Sequence, residues 1–355
     1  MKRIEALRGK LAENQIDALV VASGVNRRYM TGFSGSAGIA LISEKEAVFI
    51  TDFRYVEQAK EQAKGFEIIQ HTGPITEELA KQIERIGAKS VGFEKAHVTY
   101  SSFEAYKEAI SSAKLVPVGG LVESLRMYKD EEEIKIMKEA AQIADAAFEH
   151  ILTYIKPGVK EIDVSNELEF FMRKQGAISS SFDIIVASGH RSALPHGVAS
   201  EKVIETGELV TLDYGAYYKG YCSDITRTLA IGEISDELRQ IYETVFYAQK
   251  LGMEGIKAGI TGIEGDALTR DYIKEQGYGE YFGHSTGHGL GMEVHEAPGL
   301  SFKSDIVLEP GMVVTVEPGI YIPNVGGTRI EDDILITKDG NESFTSSPKE
   351  LITLG

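Results

Sequence analysis

The sequence predicts two domains of different class: an α/β layer domain over residues 1–127 and an α+β domain over residues 128–355. Three observations carry this reading. The 355 residues exceed what one ordinary core needs. Up to about Met127, short β-type runs alternate with helical ones, which is the pattern of a layered α/β domain. At "LRMYKDEEEIKIMKEA" the texture changes to long helices in a block beside paired strands, which is the α+β pattern.

In chain order, "MKRIEALRGKLAENQIDALVV" has basic residues near its start but no apolar stretch before Ile16. It predicts an amphipathic helix running into a strand, and not a signal peptide. The strand candidates that follow are "IDALVVAS", "GIALIS", "AVFIT", "FEIIQ", "SVGFE" and "LVPV". Between them "DFRYVEQAKEQAK", "ITEELAKQIERIG" and "TYSSFEAYKEAISSA" have helical periodicity. Gly35 and Gly38 in "GFSGSAGIA" lack the spacing of a phosphate-binding turn. In the second domain, helices over "EEEIKIMKEAAQIADAAFEHILTYI" and "KEIDVSNELEFFMRKQG" precede a strand pair. Helices over "SDELRQIYETVFYAQKLGMEGIKAG" and "TGIEGDALTRDYIKEQG" precede another. The repeated order suggests an internal duplication.

Charge and cysteine content narrow the function. A net charge of −17 disfavours nucleic acid and anionic membrane surfaces as partners. No apolar run approaches the roughly 18–20 residues that span a bilayer. The lone Cys222 cannot form an internal disulfide and fits a reducing compartment, so a cytoplasmic location is expected.

Two hairpins carry acids where strands disfavour them. In "LVTLDYGAYYKGYCSDITRTLAI", Leu209 to Ile231, Asp213 and Asp224 are nearly equidistant from a turn near Lys219 and Gly220. In "MVVTVEPGIYIPNVGGTRIEDDILI", Met312 to Ile336, Glu317 and Glu331 are equally distant from Asn324. Residues related in this way across an antiparallel hairpin face each other, and like charges there destabilise the ladder. A cation between them removes the repulsion. A solvated edge pair explains either hairpin alone, but the same symmetry twice argues against coincidence. Asp332 and Asp333 follow directly, so the pattern alone leaves the second acid open by a residue.

The third element is "GHSTGHGLGMEVHE", where three of the eight histidines, His284, His288 and His295, fall within twelve residues. Adding His288 to the four acids makes an Asp, Asp, His, Glu, Glu set whose four negative charges two divalent cations cancel. Oxygen-rich ligands with one imidazole suit Mn²⁺, with Co²⁺ or Zn²⁺ as alternatives, and the lack of thiolates argues against a structural zinc site. Two ions about 3.5–4 Å apart polarise a carbonyl and activate water, a recurrent arrangement for hydrolysis.

These residues resemble the Xaa-Pro peptidase family, which contains prolidase and aminopeptidase P and is related to methionine aminopeptidase and creatinase. "RYMTGFSGS" and "TDFRY" resemble its creatinase/prolidase-type N-terminal domain. "LPHG", "LDYG", "YCSDITRT", "STGHGLGMEVHE", "VVTVEPGIY" and "TRIEDD" resemble successive motifs of its pita-bread catalytic domain. The resemblance implies metal ligation by Asp213, Asp224, His288, Glu317 and Glu331, with Asp224 and Glu331 bridging two ions. It implies that His196 holds substrate or moves protons and that His295 contacts the scissile carbonyl. Glu317 would also handle the proton of the attacking water. His284, about one helical turn before His288, is expected on the substrate side, and Arg329 is expected to order the site or anchor a carboxylate. The substrate implied is a small peptide with proline second, cleaved as a dipeptide. Alternatives are an aminopeptidase P acting on longer Xaa-Pro peptides, or a catalytically silent binding protein on the same fold. The resemblance also implies a homodimer. Five intact ligand types disfavour the metal-free creatinase-like branch, and the large N-terminal half disfavours methionine aminopeptidase.

Overall fold

All six β-type runs of the first half become strands of one sheet. They are β1 (Ala18–Val21), β2 (Ile39–Ser43), β3 (Ala47–Thr51), β4 (Glu67–Gln70), β5 (Ser90–Glu94) and β6 (Lys114–Val118). The computed structural model describes residues 2–355, which divide into two compact units with the boundary between Arg126 and Met127. In the first unit the order is β4-β3-β2-β1-β5-β6, with β2 antiparallel to both neighbours and the other pairs parallel. Helices Ile75–Ile86 and Tyr100–Ala109 lay Leu79, Ile83 and Tyr106 on Val20, Leu41, Ile50 and Val91. One helix, Gly24–Thr31, was not expected. It has no apolar stripe because it buries Asn26 and Arg27, whose side chains bond Glu94 at 2.7 Å and the carbonyls of Gly35 and Gly38 at 2.8 and 2.9 Å.

The second unit bears out the α+β expectation. Helix Glu131–Ile151 starts at a capping box of Asp130 and Glu133, and it buries Met137, Ala140, Ala144 and Phe148 along one stripe. It is followed by helix Glu161–Lys174 and a four-stranded sheet in the order Thr353–Leu354, Ile225–Ile231, Glu208–Tyr214, Ile185–Ser188. Helices Asp236–Gly255 and Gly262–Glu275, the latter capped by Thr261 and Glu264, precede a five-stranded sheet. Its order is Glu296–Leu300, Gly287–Gly289, Val313–Val316, Asp332–Ile336, Asn341–Ser343. The two sheets meet at an isolated bridge between Thr226 and Glu331.

The hairpins differ in how they meet their predicted symmetry. In the second, Val316 pairs with Asp332 and Gly319 with Arg329, so Glu317 and Glu331 stand opposite each other as expected. They occupy a gap between two stretches of ladder, which leaves their backbone amides to other partners: Glu317 N–H donates to Thr286 O at 2.7 Å and Glu331 N–H to Thr226 O at 3.1 Å. In the first hairpin the residue opposite Asp213 is Thr226, and Asp224 lies two residues earlier. The ladder breaks at Gly215, and the Asp224 N–H donates instead to Asp333 Oδ2 at 2.9 Å. Asp213 and Asp224 are therefore diagonal neighbours and not a facing pair.

Candidate metal centre

All nine side chains singled out in the sequence line one cavity of about 580 Å³ in the second unit: His196, Asp213, Asp224, His284, His288, His295, Glu317, Arg329 and Glu331. Neither Asp332 nor Asp333 lines it. Asp332 is turned away, bonded by Arg227, Gln249, Thr345 and Lys349.

The strand Gly287–Gly289 brings His288 to the acids because its glycines allow close passage. A Cβ on Gly287 would lie 1.9 Å from Thr315 O, and one on Gly289 would lie 2.4 Å from Ala297 O. The segment from His284 to His288 enters a strand, so the expected helical-turn spacing between these histidines is not what places them. His288 Nδ1 lies 3.1 Å from Gly289 O, which can only accept, so Nδ1–H donates there and Nε2 faces the cavity. Nε2 lies 3.2 Å from Glu317 Oε1 and 3.8 Å from Asp224 Oδ2. Asp224, His288 and Glu331 each offer a ligand atom, all within 4.8 Å of one another.

Neighbouring side chains orient these acids. Thr226 Oγ1 donates to Glu331 Oε2 at 2.6 Å, and Thr315 Oγ1 to Glu317 Oε1 at 3.0 Å. Arg329 donates from Nη2 to Asp213, from Nε to Thr226 Oγ1 at 3.1 Å and from Nη1 to the Tyr321 hydroxyl at 2.7 Å. Three of its nitrogens are thus committed to the protein. Of the two roles expected for Arg329, these bonds are those of the site-ordering one, directed at Asp213. His284 is held similarly, Nδ1 to Ser285 O and Nε2 to the Tyr321 hydroxyl, both at 2.8 Å. Burial pushes its pKa down, so it is a neutral acceptor within this network, at the cavity wall. His295 and His196 are exposed at the mouth, and the His295 ring lies 4.4 Å from that of His288.

The electrostatics fit a cation. Burial raises the carboxyl of Asp213, and it raises those of Asp224 and Glu331 well above the usual range, with neighbouring carboxylates adding to the effect on the latter two. Burial also works against ionised Glu317, but the hydrogen bond and charge of His288 outweigh it and bring Glu317 to about 2. Among the described residues, Asp224 Oδ1 is buried without a hydrogen-bond partner. An orphaned carboxylate oxygen aimed into a group of acids and one imidazole is the donor set a divalent ion satisfies.

Comparison with known proteins agrees. The model of "metallopeptidase family M24" matches residues 135–338, and that of the creatinase/prolidase N-terminal domain matches residues 3–128. The chain belongs to metallopeptidase family M24. Among solved structures, this M24 chain is similar to an Xaa-Pro dipeptidase from Bacillus anthracis, at 68% identity and a TM-score of 0.99, over 100% of this chain and 99% of that one. It is similar to an X-Pro aminopeptidase from Thermotoga maritima, at 41% identity and a TM-score of 0.93, over 99% and 100% of the two chains. Among curated sequences, an Xaa-Pro dipeptidase of Pyrococcus horikoshii is 44% identical over 342 residues, 96% of this chain and 95% of the relative. As an M24 metallopeptidase, the protein is an enzyme that uses divalent metal and acts on peptides. No helix among the described residues is long and apolar enough to cross a membrane.

Sequence reasoning missed several residues of this M24 site. Thr226 and Thr315, whose hydroxyls hold Glu331 and Glu317, each stand two residues from a candidate ligand, Asp224 and Glu317 respectively. In a strand that spacing means the same face, and it is the signal that could have found them. Tyr321, which joins His284 to Arg329, gives no such signal, because only the fold brings those residues together.

Proposed function

We propose that this protein is an Xaa-Pro dipeptidase that works with two divalent ions, Mn²⁺ foremost, held by Asp213, Asp224, His288, Glu317 and Glu331. The observation that carries it is the convergence on one cavity of four acids from two hairpins with His288 between them, one buried carboxylate oxygen lacking any partner. The catalytic domain is taken to run over 128–355 and the N-terminal domain over 1–127.

When bound, divalent ions there would supply Lewis acidity toward the scissile carbonyl and toward the attacking water. By the family resemblance, Asp224 and Glu331 would be the acids shared by the two ions, while Asp213 is presented by Arg329. Glu317, fixed by Thr315, accepts the proton of the attacking water. Cleavage leaves the hydroxyl on the acyl carbon and delivers the proton to the proline nitrogen, which carries none in the peptide. His295 would contact the scissile carbonyl, and His196 would hold substrate or assist proton movement.

Chelated protein should be inactive and should recover on Mn²⁺ addition with two ions per chain. Leu-Pro should be cleaved with a higher kcat/KM than Leu-Pro-Pro. Full activity in metal-free protein would sink the metal assignment, and preference for the tripeptide would make it an aminopeptidase P. No turnover with any metal would leave the silent binding protein. The proposal includes a cytoplasmic homodimer, on the support of the family resemblance and of the single buried thiol of Cys222. A fully active monomer in sedimentation would reject the dimer.

A further inference from the structure

Away from the candidate ligands, a buried carboxylate holds one wall of the cavity. Glu161 is the first residue of helix Glu161–Lys174 and is completely buried. Its Oε1 accepts from Ser188 N at 2.8 Å and Ser188 Oγ at 2.9 Å. Its Oε2 accepts from Arg191 Nε at 2.9 Å, Ser200 N at 3.1 Å and Ser200 Oγ at 2.6 Å. These donors are the start, the interior and the end of one loop. The loop leaves strand Ile185–Ser188, makes a short 3₁₀ turn over Gly189–Ala193, and carries Pro195, His196 and Val198 into the cavity wall. Arg191 extends the connection past the histidine, since its Nη2 donates to Val198 O at 2.7 Å. Lys202 Nζ joins from the far side by donating to Ser188 Oγ at 3.0 Å.

An acid in the first turn of a helix is favourable at the surface, so the helix dipole does not account for burying this one. Desolvating a carboxylate is costly, and an apolar residue of similar volume serves plain stability as well or better. What five convergent bonds provide is a fixed position for both ends of the loop. The apex has few bonds of its own: Leu194 N–H donates to Arg191 O, Gly197 N–H to Leu194 O and Val198 N–H to His196 O. Two lateral ties add to these: Ser192 Oγ accepts from Gly327 N–H at 2.8 Å, and Val198 pairs with Ile185 in an isolated bridge. We infer that Glu161 is a positioning residue that sets the place of His196 at the cavity mouth by clamping the ends of loop 188–200. The inference rests on the proposed role of His196 in substrate handling.

The test is Glu161→Gln in the wild-type and His196→Ala backgrounds, with metal content, kcat and KM for Leu-Pro, and amide hydrogen exchange of residues 189–200. Glutamine keeps the volume but offers one acceptor oxygen and two N–H donors, so it cannot receive all five bonds. The expected result is a kcat/KM lowered roughly 10- to 100-fold with metal content unchanged. Exchange in 189–200 should be faster, and the further loss in the His196→Ala background should stay within about 2-fold. Ser200→Ala, which removes only the hydroxyl bond, should shift the same readouts less and serves if Glu161→Gln does not fold. Unchanged kcat/KM, or an equal fold-loss in both backgrounds, would overturn the inference. If the wild-type protein cleaves no Xaa-Pro peptide, the functional reading fails, and exchange alone decides Glu161: unchanged protection of the loop refutes it.

Discussion

Two glycines four residues apart in "GHSTGHG" should respond oppositely to alanine. At Gly287 a Cβ would lie 1.9 Å from Thr315 O, 2.7 Å from Thr315 C and 2.9 Å from Thr315 Oγ1, where ordinary contact begins at 3.4 Å. The first contact falls short by about 1.5 Å, and the obstacle is backbone, which no rotamer change moves aside. The strand must therefore separate from Val313–Val316 by more than 1 Å. Two bonds at this seam stretch with it: His288 N–H to Thr315 Oγ1 at 3.0 Å and Glu317 N–H to Thr286 O at 2.7 Å. Losing them costs about 0.5–1.5 kcal/mol each, and overpacking adds about 1–3 kcal/mol. Gly287→Ala should thus destabilise by roughly 2–6 kcal/mol. It also displaces His288 and Glu317 by about twice the 0.5 Å tolerance of a working site, so kcat/KM should fall on the order of 100-fold with Mn²⁺ in excess. At Gly283 a Cβ meets nothing within 4 Å, and Gly283→Ala should leave both quantities near wild type. Urea denaturation and Leu-Pro hydrolysis read the two effects. A Gly287→Ala protein with wild-type midpoint and turnover would refute the close-passage argument.

Three further outcomes are expected. Glu331→Gln keeps the bond from Thr226 but removes one of four negative charges, so metal content should drop and turnover should fall by roughly 100-fold while the fold persists; wild-type activity would move the ligand elsewhere. His295→Ala should lower kcat far more than metal occupancy, by about 10²–10⁴-fold if it aids proton transfer, as metal analysis beside kinetics would show. Asp332 is held below its ordinary 3.8: burial opposes ionisation, but Arg227, Lys349 and Thr345 outweigh it. A depressed folded pKa gives stability that is present above 3.8 and lost as pH falls through the folded value. Asp332→Asn should cost about 3–5 kcal/mol at pH 7 and flatten the acid limb of the stability profile, measured by denaturation from pH 3 to 7.

The sequence by itself determined the two fold classes, the strands of the first unit and the identity of the four histidines and of four of the five acids around the cavity, Asp183 being the one it did not single out. These are legible because strand and helix periods are local, and because an acid in an apolar strand is an anomaly visible without neighbours. The facing of Glu317 and Glu331 was legible for the same reason: one continuous register runs through the hairpin about Asn324. For Asp213 and Asp224 the same reasoning slipped by two residues, because the Asp224 amide is drawn to Asp333, 109 positions away. Helix Gly24–Thr31 gave no periodic signal, since Glu94 and the glycine carbonyls that stabilise its buried polar face come from elsewhere in the fold. Only the tertiary structure decided between Glu331 and its acidic neighbours, turning Glu331 into the cavity and Asp332 toward Arg227. It alone showed that Arg329 is committed to Asp213 and Tyr321, because a side chain's free donors depend on partners that sequence distance does not reveal.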